Sequence, residues 1–124
     1  MKQNKKLVGT TGEEIVADYL KKKKYKIIRQ NYQCRFGEID IIAADGEYTV
    51  FIEVKTRKDA DYGEPSEAVN YFKKKKIIQM AKYYLMTQEK DIDIRFDVIE
   101  VFGEFCDGKF VPTRINHIEN AFWE

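Results

Sequence analysis

The stretch from Arg35 to Arg57, RFGEIDIIAADGEYTVFIEVKTR, constrains the fold more than any other part of the chain. Two runs rich in β-branched residues, Glu38 to Ala43 and Thr49 to Lys55, flank Asp45-Gly46. A glycine in a short polar break between such runs is the signature of a β-hairpin. Side chains alternate along a strand, so Glu53 and Lys55 share one face while Val50, Ile52 and Val54 share the other. A two-residue loop at Asp45-Gly46 sets Asp40 opposite Phe51, and a four-residue loop from Asp45 to Tyr48 sets it opposite Glu53. With either even loop, Asp40, Glu53 and Lys55 project from one face, the carboxylates directly opposed or on a diagonal. An odd loop turns Asp40 away.

Two carboxylates this close on an apolar hairpin repel unless something neutralises them. Hard divalent cations such as Mg2+ or Mn2+ take oxygen ligands of this kind and keep several waters, which leaves room for a substrate phosphate. Lys55 is then placed to orient a bound water or to stabilise developing negative charge. The plainer alternative is a solvated E-x-K pair on the open face of an antiparallel sheet, loosely joined to Asp40. Against it stands the neighbourhood. Ile39, Ile41, Ile42, Phe51, Ile52 and Val54 make strands of the kind covered on both faces, where a charge needs a reason.

At 124 residues, 44% hydrophobic and 35% charged, the chain has the size and composition of one ordinary globular domain. No apolar run approaches membrane-spanning length, and the basic start MKQNKKLVGT lacks the apolar stretch of a signal peptide; a cytoplasmic protein without membrane association is expected. Cys34 and Cys106 stand far apart and are expected as two buried thiols rather than a disulfide. His117 is the only histidine, which leaves zinc sites and histidine-dependent triads little to work with. Charge is unevenly spread: residues 1–35 carry ten Lys and Arg against three acids, net +7, and residues 36–124 carry twelve against eighteen, net −6. Such asymmetry fits an anionic partner on one side and cation-binding carboxylates on another. The lysine runs Lys21–Lys24 and Lys73–Lys76 both fall in helical segments, as solvated faces or as a phosphate-binding rim.

In chain order, residues 1–8 read as a flexible basic tail and residues 9–124 as a single domain. Thr10 with Glu13 three residues on forms a capping-box pattern, so a helix is expected from near Gly12 to about Lys23, with Ile15, Val16, Ala17, Tyr19 and Leu20 as its apolar stripe. Glu13 lies at the edge of that stripe, either as an inward-pointing carboxylate or as the capping residue itself. Tyr25 to Tyr32 reads as a strand antiparallel to the next. Thr56 to Pro65 reads as a loop, which puts Thr56 and Arg57 at the mouth of any site on the hairpin, within reach of phosphate oxygens. After a helical turn at Ser66 to Val69, Asn70 is a plausible N-cap for a helix reaching about Gln88, with Ile77, Ala81, Tyr84 and Leu85 facing the core. Lys73 to Lys76 in its first turns oppose the macrodipole, a placement that makes more sense where an anion binds. Gln79 and Tyr83 either face the hairpin or lie on the flank. Asp91 to Phe102 is a strand whose alternation slips from Ile99, pointing to a bulge or to burial on both faces. A short strand near Phe110 to Val111 and a final helical turn carrying Ile118, Ala121, Phe122 and Trp123 complete an α/β fold with a central mixed sheet flanked by helices.

Three motifs together carry a family resemblance: G-x-x-G-E (Gly9, Gly12, Glu13), G-E-I-D (Gly37 to Asp40) and V-F-I-E-V-K-T-R (Val50 to Arg57). They resemble the PD-(D/E)xK nuclease superfamily and, within it, the bacterial YraN family, which is similar to archaeal Holliday junction resolvases. The resemblance runs from about Gly9 to Phe122, through Arg95-Phe96-Asp97 and Asn120-Ala121-Phe122. It implies a restriction-endonuclease-like core of order α-β-β-β-α-β in which Asp40 and Glu53 bind a divalent metal. Glu13 would add a helix-borne acid and Lys55 would act on the attacking water. Thr56, Arg57 and Lys73, Lys74, Lys75 and Lys76 would contact the nucleic-acid backbone. Ile39 stands where many of these nucleases have proline, and Gln79 with Tyr83 resembles the Q-x-x-x-Y helix of the RecB-like branch.

The expected activity is Mg2+- or Mn2+-dependent phosphodiester hydrolysis of nucleic acid, DNA ahead of RNA and branched DNA among the substrates; junction resolvases cut two strands symmetrically as dimers, and a homodimer is one of the assemblies open to this chain. Two alternatives are a non-catalytic nucleic-acid-binding module that keeps the fold, and a carboxylate-pair hydrolase of sugars. The last is disfavoured because Lys55 is expected to lower the pKa of both acids, whereas such an enzyme needs one raised. On the metal-site reading, Glu53→Ala relieves crowding at little cost in stability.

Overall fold

Alternating apolar strands and two amphipathic helices assemble into an α/β layer structure in a computed structural model, which describes residues 2–58, 71–88 and 91–122, the first ten of these by backbone alone. The elements are α1 (Lys2–Lys22), β1 (Lys26–Cys34), β2 (Gly37–Asp45), β3 (Tyr48–Lys58), α2 (Tyr71–Met86), β4 (Asp93–Cys106) and β5 (Lys109–Ile118). They form one sheet of order β1-β2-β3-β4-β5, in which β3 and β4 run parallel and every other pair is antiparallel. The parallel β3–β4 step crosses over through α2, so the first six elements follow the expected α-β-β-β-α-β order. No helix among the described residues is long and apolar enough to cross a membrane.

Each face of the sheet has its own helix. Val16 and Leu20 of α1 pack on Ile41, Ala43, Val50, Ile52, Ile99 and Val101. Ile77, Met80, Ala81 and Tyr84 of α2 pack on the opposite face with Ile42, Phe51, Phe96 and Val98. Phe51 and Phe122 both stack on Phe96, with ring centroids 5.7 and 5.0 Å away. β4 is therefore buried without interruption from Phe96 to Gly103. This is why its alternation is lost from Ile99, and the bulge lies further on, between Phe102 and Gly103.

Several features differ from the sequence reading: β3 continues to Lys58 and β4 to Cys106, where the sequence predicts a loop from Thr56 and a strand end at Phe102. The α1 backbone is helical from Lys2, so Thr10 lies inside the helix rather than at its start; nothing between Lys2 and Gly12 is proline, and Lys, Gln and Leu favour a helix. Met80 rather than Leu85 completes the buried stripe of α2. The strand expected near Phe110 extends over Lys109–Ile118, because an Asp107-Gly108 turn with both residues at positive φ lets it pair along the length of β4. Ile118 ends that strand instead of entering a helical turn, and the Ala121 amide donates to the Phe96 carbonyl at 2.7 Å. Cys106 is exposed and Cys34 half-buried. The expected turn at Ser66 to Val69, the Asn70 cap and Trp123 lie outside the described residues.

Two contacts hold the layers in place. α1 approaches β3 so closely that a Cβ at Gly12 would overlap Thr56 Oγ1. At the other end of the sheet the wholly buried Asp97 accepts hydrogen bonds from Arg95 Nε and Nη2, each at 2.9 Å, and from Asn120 N at 3.0 Å, with His117 Nε2 at 2.7 Å. Arg95 also donates to Asp45 Oδ2 and to the Tyr25 hydroxyl, at 2.9 and 2.7 Å. One carboxylate thus ties β4 to the β2–β3 turn, to the segment after α1 and to the end of β5.

Burial alone raises the Asp97 pKa, but hydrogen bonds from His117, Arg95 and Asn120 outweigh it and hold the carboxyl below its ordinary 3.8. A depressed carboxyl stabilises the fold fully above that value, and the contribution is lost as pH falls through the lower folded-state pKa. Asp97→Asn is expected to cost about 3–5 kcal/mol in urea melts near neutrality and to flatten the acid limb of the stability curve. Gly12→Ala is expected to destabilise by about 1–3 kcal/mol, and Thr56→Ala, which removes the overlapping hydroxyl, is expected to recover most of that loss in a double-mutant cycle.

Candidate functional site

The β2–β3 register decides what meets on the α2 face. Asp45 pairs with Tyr48 across a two-residue loop, Gly46-Glu47, with Gly46 at φ 61°. The pairing runs from there to Ile41 opposite Ile52. One more step of this register sets Asp40 opposite Glu53, the pairing that the four-residue loop had implied, reached here with the shorter turn. Ladder pairing stops at that step. Asp40 Oδ2 instead accepts a hydrogen bond from the Val54 amide at 2.8 Å, so the carboxylate bridges the point where the strands part.

β2 is irregular here. Ile39 and Ile42 both pack on the α2 side while Ile41 packs on the α1 side, so strict alternation slips around Asp40. On β1 the register places Asn31 across from Asp40, and Asn31 takes φ 53°, a left-handed conformation that Asn tolerates better than most residues. The Asn31 side chain hydrogen-bonds Glu13, which is half-buried midway along α1. Burial and the charges of Glu38 and Glu53 raise the Glu13 pKa. Glu13 is therefore the inward-turned acid of the two readings rather than a cap, since the helix begins at Lys2.

Asp40 and Glu53 line a pocket of about 480 Å³ with Glu38, Lys73, Lys76 and an apolar wall that includes Phe36, Phe72 and Met80. Glu53 is only 6% exposed. Its Oε2 lies 3.5 Å from Lys55 Nζ and in closer contact with Lys73 Nζ, which comes from the first turn of α2. Burial first, then the charge of Lys73, lowers the Lys55 pKa. Burial acts to lower Lys73 as well, but its hydrogen bond and charge contact with Glu53 prevail and raise it. The expectation that Lys55 lowers the pKa of both acids is not met. Burial and the Glu53 charge push Asp40 up to about 7, against an opposing hydrogen bond from Val54. Nor does Glu53 stand alone against Asp40: its removal leaves Lys55 and Lys73 facing each other, so Glu53→Ala is expected to cost stability rather than relieve crowding.

The other predicted residues separate. Arg57 follows Glu53 and Lys55 on the same face, where its Nε donates to the buried Glu100 at 2.8 Å; Asn116 Nδ2 holds the other Glu100 oxygen at 2.8 Å. Thr56 faces the other way, against Gly12, because strand alternation places it on the α1 side. Of the lysine run, Lys73 and Lys76 line the pocket, while Lys74 lies over the Phe122 ring and Lys75 over Tyr71, at 5.9 and 5.0 Å. Gln79 is exposed, and Tyr83 makes an edge contact with Phe36 at 6.1 Å. Sequence reading missed Asn31, Glu38, Glu100 and Asn116. Only Asn31 left a signal, a turn-favouring residue inside an otherwise extended run.

Among the described residues no group of three or more His, Cys, Asp or Glu is gathered closely enough to hold a metal ion. Mg2+ asks for less: one or two carboxylates, with water and substrate phosphate completing its shell. Asp40, raised in pKa by burial and by the Glu53 charge, and Glu53, nearly buried beside it, line one open pocket and fit that requirement.

The sequence profile described as "Uncharacterised protein family UPF0102" matches residues 12–101. A UPF0102 protein of Caldanaerobacter subterraneus subsp. tengcongensis is 47% identical over 122 residues, covering 98% of each chain. One from Alkaliphilus oremlandii is 48% identical over 122 residues, covering 96% of this chain and 99% of that one. A third, from Geobacter sulfurreducens, is 44% identical over 118 residues, covering 94% and 89%.

A raised carboxyl pKa carries a stability cost that is full above the folded value, near 7, and is gone below the ordinary 3.8. Asp40→Asn keeps an oxygen for the Val54 amide and removes the charge. In EDTA at pH 8 it is expected to be more stable than the wild type by about 1–3 kcal/mol in thermal melts, the gain shrinking as pH falls and vanishing below the ordinary carboxylate range.

Proposed function

The chain belongs to the UPF0102 family, and for it we propose a metal-dependent endonuclease, hydrolysing phosphodiester bonds in nucleic acid at the pocket between β2, β3 and α2. The observation that carries this reading is the pairing of Asp40 with Glu53 across adjacent strands, in one pocket, with Lys55 the next residue on the same face. A Mg2+ or Mn2+ ion held by Asp40 and Glu53 would polarise the scissile phosphate and acidify a water. Lys55 Nζ, held at Glu53, would orient the attacking water or stabilise the negative charge that develops on the phosphate. Glu13 adds negative charge from α1, which strengthens the pocket's demand for a cation. Arg57, held by Glu100, and Lys76 at the rim supply contacts to phosphate oxygens, which position a substrate without reading its bases. The YraN-type resemblance to junction resolvases puts DNA ahead of RNA and makes a homodimer the expected assembly.

One observation favours the second reading, a nucleic-acid-binding module that retains the fold: Glu53 already has two ammonium groups against it, so the pocket is partly neutral without metal. Both readings predict salt-sensitive DNA binding, and cleavage separates them. End-labelled single-stranded, duplex, flap and four-way-junction DNA are incubated with Mg2+, Mn2+ or EDTA beside Glu53→Gln and Lys55→Ala prepared identically. The nuclease cuts only with metal, and each substitution lowers the rate by at least about 100-fold. Binding without any cutting returns the protein to the binding-module reading.

A further inference from the structure

We infer that Lys73 holds the place of a divalent cation at Glu53, and that an ion entering the pocket releases the Lys73 ammonium to the phosphate side of the same site. This rests on the metal-binding reading of the pocket. A carboxylate as buried as Glu53 is stable only with positive charge against it. Lys55 and Lys73 supply that charge on a single oxygen, Oε2, and they differ in attachment. Lys55 is two residues along the same strand and stays beside Glu53 as long as the sheet does. Lys73 reaches in from α2 with a side chain 42% exposed, and its flexible stem can swing outward while the helix stays packed.

An ion held by the Glu53 carboxylate and an ammonium already in contact with its Oε2 would compete for one space. Charge favours the exchange: a divalent ion would bring two positive charges to Asp40 and Glu53, whereas Lys73 brings one, in contact with Glu53. Lys76 lies one turn further along α2 and also lines the pocket, so the released Lys73 stays beside a second cation at the rim. The exchange works in reverse as well. A polyanion that engages Lys73 draws it from Glu53 and vacates the metal position, so metal and nucleic acid bind with positive, reciprocal coupling.

Mn2+ binding to the full chain, followed by loss of the free-ion electron paramagnetic resonance signal, tests this in wild type, Lys73→Met, Lys76→Met and Glu53→Gln. Lys73→Met is expected to bind Mn2+ about tenfold tighter than wild type. Lys76→Met, which removes the same charge from the same rim, is expected to stay within about twofold, and Glu53→Gln to lose the site. Equal gains for the two lysine variants overturn the inference and leave the nuclease reading standing, since Lys73 is then one more nearby charge. No Mn2+ binding by any of the four proteins overturns both. As a second readout, acetylation of Lys73 by acetic anhydride, followed by mass spectrometry, is expected to rise several-fold on adding Mg2+; an unchanged rate overturns the exchange.

Discussion

The β2–β3 register brings the half-buried Asp40 face to face with the buried Glu53, and the polar groups around them answer that crowding. Like charges in a low-dielectric setting cannot both ionise without help. Here the help comes from three directions. The Val54 amide serves Asp40, Lys55 reaches Glu53 along its own strand, and Lys73 reaches it from α2. Asp40 is nevertheless left with a raised pKa, so the pocket still lacks positive charge. A fold that needed only stability would have placed apolar residues at these positions, since replacing a buried ionic group by packed hydrophobic side chains is often neutral or stabilising.

The same sheet face divides into two zones along β3 and β4. Phe51, Phe96 and Val98 lie under α2 and form the dry half. Beyond them the face turns polar, with Glu53, Lys55 and Arg57 on β3, Glu100 on β4 and Asn116 on β5. Strand pairing puts Lys55 beside Glu100 and Glu100 beside Asn116, so this zone is assembled from three strands by register alone. The buried Asp97 network works at the other end of the sheet and on the other face. It fixes the hairpin turn and β5 relative to β4, and so keeps in register the strands that carry the site.

Much of this was legible in the sequence where chemistry is local. The hairpin, the shared face of Glu53 and Lys55, the buried centre of β4 and most of the core-facing stripe of α2 follow from alternation and helical period, whereas Arg57 falls in an expected loop and joins that face only because β3 continues to Lys58. The errors lie where a local signal had a non-local competitor. Thr10 and Glu13 spell a capping box, yet nothing upstream stops the helix, and Glu13 turns to Asn31 on a neighbouring strand instead. Phe110 and Val111 look like a short strand because Pro112 interrupts the run, but Pro112 sits on an edge strand at a bulge, where its missing amide is tolerated. Thr56 follows Lys55 directly and so reads as part of the site mouth, but β3 continues to Lys58 and alternation turns Thr56 to the other face.

Sequence alone determined the family, the α-β-β-β-α-β order and the candidates Asp40, Glu53 and Lys55, because these depend on spacing within single elements and on motifs that survive as text. Tertiary structure decided the rest. It chose the Asp40–Glu53 pairing over Asp40–Phe51 and inserted Lys73 against Glu53 from a helix twenty residues away in the chain. It also gave Arg57 to Glu100 and pushed the Asp40 pKa up rather than down. The physical reason is common to all four. Charge interactions and desolvation depend on distance and burial in space, and neither is set until the sheet has closed its register and the helices have covered its faces.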